Sequence, residues 1–182
     1  IIPGMKAAEA NLKYIASAGG LSAKTLAKKG DVAYASSDYK EMLNDEQVDM
    51  VMITTRHNLH APMTKKALAA GKHVFVEKPL CMDENEAKEI RSRLNEHPGL
   101  RLSSNLILRL APRFIRLKRD IRNGTFGEIY YIESDYNYGR IHKIISGWRG
   151  GLDFYSVIYG GGVHIVDLIL WLLSETVEEV QA

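Results

Sequence analysis

The sequence predicts a protein of the α/β class, built on a parallel sheet with helices on both of its faces. Segments typical of strands and of helices alternate as far as Asn105, with short loops between them. Residues 48–55 are nearly all apolar, as expected for a strand that is covered on both faces. Gly30 and Gly71 follow two helical segments and are typical of helix ends.

The elements of this first part are assigned from their apolar patterns. Strands are predicted at residues 12–17, 32–35, 48–55, 73–77 and 101–105. Helices are predicted at residues 21–30, 37–45, 60–72 and 82–97. Ligands of such sheets bind beyond the carboxyl ends of the strands. The polar residues at those ends are therefore candidate site residues: Ser17, Thr54, Thr55, Arg56, Glu77, Lys78, Ser104 and Asn105.

A different pattern begins after residue 108. A helix is predicted at residues 112–127 and a long alternating strand at residues 128–139. Three glycines then open a helix at residues 160–173 that is apolar almost all round and should be buried. A further strand is expected to begin at residues 177–182. We therefore expect a first domain over residues 1–108 and the beginning of a second over residues 109–182, in a fragment cut at both ends.

Composition excludes several classes of function. Lys plus Arg number 24 and Asp plus Glu number 22, for a net charge of +2, which does not favour a nucleic-acid or membrane-surface partner. The single cysteine, Cys81, excludes an internal disulfide and a cysteine-based zinc site, and no metal site is predicted. This composition fits a reducing, cytoplasmic location. The longest apolar run is too short to span a bilayer.

The stretch Glu77-Lys78-Pro79 places an acid and a base directly after a predicted buried strand. Taken alone, such a tripeptide is most often a solvated turn, because most lysines are exposed. Pro79 favours an extended backbone at Lys78, and a bond to proline is the one peptide bond with ready access to the cis form. A lysine held at the edge of a ligand site is the alternative.

Three stretches together resemble the Gfo/Idh/MocA oxidoreductases: AGKHVFVEKPL, the preceding VDMVMITTRHNLHAP and the later YGGGVHIVDLILWLL. The resemblance implies a Rossmann-like parallel sheet, incomplete at its N-terminus, followed by the start of an α/β domain with an open, mainly antiparallel sheet. It implies NAD or NADP as cofactor and a sugar, cyclitol or nucleotide sugar as substrate, with a role in polysaccharide biosynthesis as a finer expectation. The glycine-rich turn is expected before Ile1, so the fragment itself is expected to be inactive.

The resemblance also assigns catalytic candidates. Lys78 is expected to polarise the substrate hydroxyl, with a cis bond to Pro79. His164 lies in the first turn after the glycines, where the positive helix end disfavours imidazolium, and it is the candidate general base. Asp167 could orient His164, contact substrate or serve as a buried structural carboxylate. Where many relatives carry aspartate this chain has Gly160, and the Tyr159 hydroxyl is a candidate substitute.

The cofactor candidates implied by the resemblance are Ser17, Thr54, Thr55, Arg56, Glu77, Lys78, Pro79 and Asn105. Ser17 leaves the choice between NAD and NADP open. His60 is expected to brace the following helix, and Arg109 is similar to a family arginine. A non-catalytic or regulatory binding protein of the same fold is the competing function, favoured by Gly160. Self-association through the C-terminal sheet is also expected.

Overall fold

The computed structural model describes residues 2–151 and 156–181 of the chain. The strands in this part are β1 Tyr14–Ala16, β2 Tyr34–Ser36, β3 Met50–Ile53, β4 His73–Val76 and β5 Leu102–Ser104. The helices are α1 Ile2–Ala7, α2 Leu21–Gly30, α3 Lys40–Asn44, α4 His57–Ala69, α5 Glu84–Glu96, α6 Pro112–Arg122, α7 Ile141–Ile145 and α8 Val163–Leu173. A 3-10 turn covers Ile107–Leu110 and a π-helical turn covers Ile158–Gly162.

The strands form two parallel sheets, which confirms the predicted α/β class. β1 and β2 pair with Tyr14 opposite Tyr34 and Ala16 opposite Ser36. The second sheet has the order β3-β4-β5, and a helix connects each strand to the next. The carboxyl ends of β3, β4 and β5 therefore lie along one edge of that sheet, as the sequence predicted.

The chain divides into two compact units. The first comprises Ile1–Ile53, Pro62–Phe75 and Glu89–Leu102, and the second comprises Thr54–Ala61, Val76–Lys88 and Ser103–Ala182. These units group the strand ends with the C-terminal segment, whereas the predicted domains at 1–108 and 109–182 divide the chain by sequence and stay a prediction.

The first unit is held by small and branched apolar side chains. Ala23 and Ala27 are buried one turn apart on α2, which defines the inward stripe of that helix. Ile53, Leu68 and Ile90 are among its largest fully buried side chains.

The second unit is organised around α8. Leu168 and Leu172 are buried four residues apart on this helix, and α6 packs against it. Lys118 of α6 donates a hydrogen bond to the Trp171 carbonyl, and its Nζ lies 4.4 Å from the centroid of the Trp171 ring. The predicted helix at residues 160–173 is confirmed, with its first residues wound as the π-helical turn. The predicted burial of the whole helix was wrong, because only Leu168 and Leu172 of α8 are buried and Val166 is 52% exposed.

Several predicted boundaries were wrong. α4 begins at His57 rather than at residue 60, and Pro62 lies inside it. A proline ordinarily marks a first turn, so it obscured the true start. α6 ends at Arg122 rather than residue 127, because Gly124 has φ +70° and turns the chain away.

Two predicted strands are not formed in the described residues. Residues 128–139 and 177–181 have no regular structure, because no described segment offers them a hydrogen-bonded neighbour. Tyr130 is 95% exposed and Tyr131 is 70% exposed as a result. The open, mainly antiparallel sheet expected for the second domain therefore stays a prediction.

Candidate functional site

The ends of β4 and β5 bring two predicted cofactor residues into contact. Asn105 donates its backbone N–H to the Val76 carbonyl at 3.0 Å, which continues the pairing one residue beyond β5. Its side-chain Nδ2 then donates to Oε1 of Glu77 at 2.8 Å. The Glu77 carboxylate is thereby held in one orientation beside Lys78.

His60 braces the turn that follows both β3 and β4. It is fully buried, with Nδ1 2.6 Å from the Pro79 carbonyl oxygen and Nε2 3.1 Å from the Thr55 carbonyl oxygen. The Lys78–Pro79 peptide bond is cis, as the resemblance implied. His60 therefore has a structural place in the site, linking the two strand-end segments through their backbones.

Lys78 points toward the π-helical turn, which belongs to the same compact unit. Its Nζ donates a hydrogen bond to the carbonyl of Gly160. Burial lowers the pKa of Lys78 below its ordinary value, and the nearby Arg149 charge lowers it further, whereas Glu77 opposes the shift. Lys78 is therefore no solvated turn lysine.

His164 lies half-buried in the first turn of α8. Burial lowers the pKa of its imidazole, and the positive charge of Lys78 adds to that effect, while Asp167 and Glu77 oppose it. Its Nδ1 is buried and has no hydrogen-bond partner among the residues that the structure describes. Lys78 and His164 thus come near enough to influence each other, although 86 positions separate them in the numbering.

Asp167 is bound to Arg109 rather than to His164. Nε of Arg109 donates to Oδ2 of Asp167 at 2.9 Å, and Nη2 donates to Oδ1. This contact raises the pKa of Arg109 above its ordinary value. The structural interpretation of Asp167 gains support, because both of its oxygens are engaged by the guanidinium.

Tyr159 and Ser17 lie in different compact units. Tyr159 is half-buried within the π-helical turn, directly before Gly160. Ser17 lies in the first unit, immediately after β1, where its Oγ is 2.6 Å from Oγ of Ser22. Ser17 is therefore at a strand end, as predicted, but β1 belongs to the two-stranded sheet and not to the sheet of β3, β4 and β5 that carries the other strand-end candidates.

A cavity of about 420 Å³ opens at the strand ends of the second unit. We call it the strand-end cavity; it is lined by Thr54, Thr55, Arg56, His57, His60, Glu77, Lys78, Trp148 and Arg149. Five of these residues, Thr54, Thr55, Arg56, Glu77 and Lys78, were predicted as site residues from sequence. The cavity therefore lies where the parallel-sheet argument placed a ligand.

Three lining residues were missed. His57 is only 5% exposed, and burial lowers its pKa to about 4, with smaller contributions from the charges of His60, Lys78 and Arg149. The Trp148 ring meets it edge-on at 5.1 Å between centroids. His57 could have been found as the first residue of the helix after β3. Trp148 and Arg149 lie in a loop without a sequence pattern that would direct them here.

The geometry defines a Rossmann-type protein with a polar cavity at the carboxyl edge of its sheet. Residues 2–105 match the family described as "Oxidoreductase family, NAD-binding Rossmann fold", and residues 114–182 match the "GFO/IDH/MocA C-terminal domain". The chain belongs to the Gfo/Idh/MocA oxidoreductase family, as its motifs indicated. NAD is the cofactor in the description of that family, in agreement with the predicted dinucleotide.

Individual relatives agree with this assignment. The chain is 35% identical to Uncharacterized oxidoreductase YhhX of Escherichia coli over 139 residues, covering 76% of this chain and 39% of that protein. It is 33% identical to D-xylose dehydrogenase of Paenarthrobacter nicotinovorans over 115 residues, covering 63% and 29%. The crystal structure of myo-inositol 2-dehydrogenase from Lactobacillus plantarum superposes with a TM-score of 0.77 at 25% identity, covering 90% of this chain and 48% of that one. The chain thus spans less than half the length of these relatives.

The described residues contain no candidate membrane span and no candidate metal cluster. None of their helices combines the length and the apolar character that crossing a bilayer requires. The same residues contain no group of three or more His, Cys, Asp or Glu side chains arranged to hold a metal ion.

Proposed function

We propose that the full-length protein containing this chain transfers a hydride between NAD(P) and a ring hydroxyl or keto group of a sugar, cyclitol or nucleotide sugar. The observation that carries the proposal is the approach of Lys78, which lines the strand-end cavity, to His164, with the pKa of each lowered mainly by burial. Perturbed titratable groups of this kind, gathered at a cleft, are typical of catalytic sites.

The residues present suit a dinucleotide at this edge. The hydroxyls of Thr54 and Thr55 line the cavity, and the Glu77 carboxylate is oriented by Asn105. Hydroxyl, carboxylate and amide groups are the partners that ribose hydroxyls require. NAD(P), when bound, supplies the hydride-accepting or hydride-donating carbon. The preference between NAD and NADP stays open in this proposal.

His164 and Lys78 would divide the proton chemistry. In the direction of oxidation, the neutral His164 imidazole accepts the hydroxyl proton while the hydride leaves the carbinol carbon. Lys78 donates a hydrogen bond to the same substrate oxygen and holds it in place. In the direction of reduction, protonated His164 returns the proton to the carbonyl oxygen.

Asp167 and Tyr159 have supporting places in this proposal. Asp167 contributes the negative charge that partly restores the pKa of His164, although its oxygens bind Arg109. Tyr159 brings a hydroxyl next to Gly160, the position where many relatives carry aspartate. A direct substrate contact by either residue is the finer proposal.

A second candidate function is a non-catalytic or regulatory binding protein. Gly160 favours it, because Lys78 meets a backbone carbonyl at the place where a carboxylate is expected. Cofactor and sugar could then bind without turnover.

Self-association is part of the proposal as well. Residues 128–139 leave backbone groups without strand partners, and Tyr130 and Tyr131 are largely exposed. The partner that we propose for this segment is a second copy of the same chain. The cytoplasmic location of the protein stays a prediction. Light scattering should report a dimer or larger assembly, whereas a clean monomer would contradict it.

The decisive experiment uses purified full-length protein with NAD and with NADP. Sugars, inositols and nucleotide sugars are screened by the absorbance of the reduced nicotinamide. Lys78→Ala should abolish the turnover that the unaltered protein shows. Lys24→Ala, an exposed lysine of α2, is the matched control and should leave it unchanged. Tight cofactor binding without turnover on any compound would favour the binding protein instead.

A further inference from the structure

The strand-end cavity has an excess of positive charge. Arg56, Lys78 and Arg149 line it, and Glu77 is the one carboxylate among the described residues that line it. That carboxylate already accepts a hydrogen bond from Asn105. Gathering three cations around one cavity is unfavourable unless an anion offsets their repulsion.

Both guanidinium groups lie over the Trp148 ring. Cζ of Arg149 lies 4.4 Å from the centroid of the Trp148 ring, and Cζ of Arg56 lies 5.7 Å from it. Stacking occupies the flat face of a guanidinium and leaves the N–H groups along its edge available. Those edges match the planar oxygens of a carboxylate or the oxygens of a phosphate.

Neither arginine is neutralised by an acidic side chain of the described residues. The ion pairs found there involve other cations, including Arg109 with Asp167. The Arg149 charge reaches both Lys78 and His57, since it lowers the pKa of each. The two arginines that line the cavity are therefore close to Lys78, the proposed reacting lysine.

We propose that Arg149 and Arg56 bind an anionic group of the substrate, a carboxylate or a phosphate, so that the site selects acidic sugars over neutral ones. The inference rests on the proposed function, because it names the substrate class for the same cavity. Arg56 was predicted from sequence to contact the cofactor, and that assignment stays a prediction. Arg56 is included in the present proposal because its guanidinium lies over the same Trp148 ring as that of Arg149.

The position of Trp148 and Arg149 in the chain favours substrate over cofactor as the source of the anion. Trp148 and Arg149 belong to the segment that matches the C-terminal domain of the family. The predicted cofactor residues all belong to the segment described as NAD-binding. An anion bound by Arg149 is therefore held by the part of the cavity lining that belongs to the C-terminal segment.

The test measures binding and turnover separately in the full-length protein. D-Glucuronate, D-glucose 6-phosphate and D-glucose are titrated by calorimetry in the presence of NAD, and each is then assayed for hydride transfer. Comparing the first two probes distinguishes carboxylate from phosphate. The variants are Arg149→Gln, Arg56→Gln and Arg149→Lys, with Arg122→Gln as an exposed control in the same unit.

We expect one of the charged probes to bind about 10- to 100-fold more tightly than glucose, as one or two charge-assisted hydrogen bonds provide. Arg149→Gln should remove this preference, Arg149→Lys should retain part of it and Arg122→Gln should retain it fully. Calorimetric melting of each variant verifies that it is folded. Charge-dependent binding without turnover would support the anion site while contradicting the proposed dehydrogenase.

Two results would overturn the inference. Equal affinity for charged and neutral probes, unaffected by Arg149→Gln, would contradict the anion site without contradicting the proposed dehydrogenase activity. A loss of NAD affinity in Arg149→Gln with the sugar preference intact would assign the cations to the cofactor.

Discussion

The Nζ of Lys78 donates a hydrogen bond to the backbone carbonyl of Gly160. Many relatives are expected to carry an aspartate at that position, and a carboxylate there would raise the pKa of the lysine. A carbonyl oxygen is neutral and provides an acceptor without that charge. The pKa of Lys78 therefore stays below its ordinary value, with burial as the main cause.

His164 should set the pH dependence of the reaction. Oxidation needs the neutral imidazole, so its rate should rise with pH through the pKa of His164, which lies below 6.5, and then level off. Reduction needs the protonated form and should fall over the same range. The pH profile of kcat/KM measures this dependence. His164→Asn should remove the rising limb of the oxidation profile and lower kcat by about 10²- to 10⁴-fold. Persistence of the limb in His164→Asn would assign it to another group.

His57 should make the protein less stable in acid. Its pKa is lowered from 6.5 to about 4 in the folded state, so the unfolded chain binds more protons between these values. The stability associated with neutral His57 is complete above pH 6.5 and is lost as pH falls toward 4. Urea unfolding at several pH values should show this slope, and His57→Gln should flatten it. An unchanged slope would contradict the burial of a neutral imidazole.

Gly161 is required by the close approach of Tyr136. A Cβ added at Gly161 would lie 2.2 Å from Cε1 of the Tyr136 ring, whereas one added at Gly162 would meet nothing nearer than 3.7 Å. Gly161→Ala should therefore lower the free energy of unfolding by about 1–3 kcal/mol, as overpacking typically does. Gly162→Ala is the matched control and should be neutral or stabilising. Addition of Tyr136→Ser to Gly161→Ala should recover part of the loss, and equal effects of the two glycine variants would contradict the packing argument.

The Asp167–Arg109 pair should tune His164 in two opposite directions. Asp167 raises the pKa of His164, so Asp167→Asn should move the oxidation limb to lower pH. Arg109→Met frees the Asp167 carboxylate from its partner and should move the limb to higher pH. Each variant should lower the free energy of unfolding by roughly 0.5–1 kcal/mol, as expected for a partly exposed pair. Shifts of the same sign in both variants would show that the pair does not act through its charge.

The parallel sheet and its polar edge could be predicted from sequence because both follow from local patterns. The apolar β3 and the glycine at position 71 identify strands and helix ends without knowledge of distant contacts. The strand-end rule then gathered Thr54, Glu77 and Asn105 correctly. The hydrogen bond between Asn105 and Glu77 in the structure required no information beyond strand order.

The rest of the site depends on contacts between distant segments. Trp148 and Arg149 come from a loop, and nothing in their neighbours indicates that they face His57. Burial depresses the pKa of His57, and burial is a property of the folded unit rather than of the residues around it in the chain. The pairing of Asp167 with Arg109 could not be predicted from sequence either, because it depends on how α8 lies against the 3-10 turn.

Single-turnover hydride transfer in Lys78→Met is the most direct test of whether Lys78 takes part in the proposed reaction. Full-length protein is mixed with NAD(P) and the substrate found by screening, and the formation of reduced nicotinamide is followed in the unaltered protein, in Lys78→Met and in Lys24→Met. We expect a loss of about 10²- to 10⁴-fold in the rate of the chemical step for Lys78→Met, with cofactor affinity nearly unchanged and Lys24→Met unaffected. An undiminished rate in Lys78→Met would contradict the catalytic role of Lys78, because the lysine at the end of β4 would then have no part in the reaction.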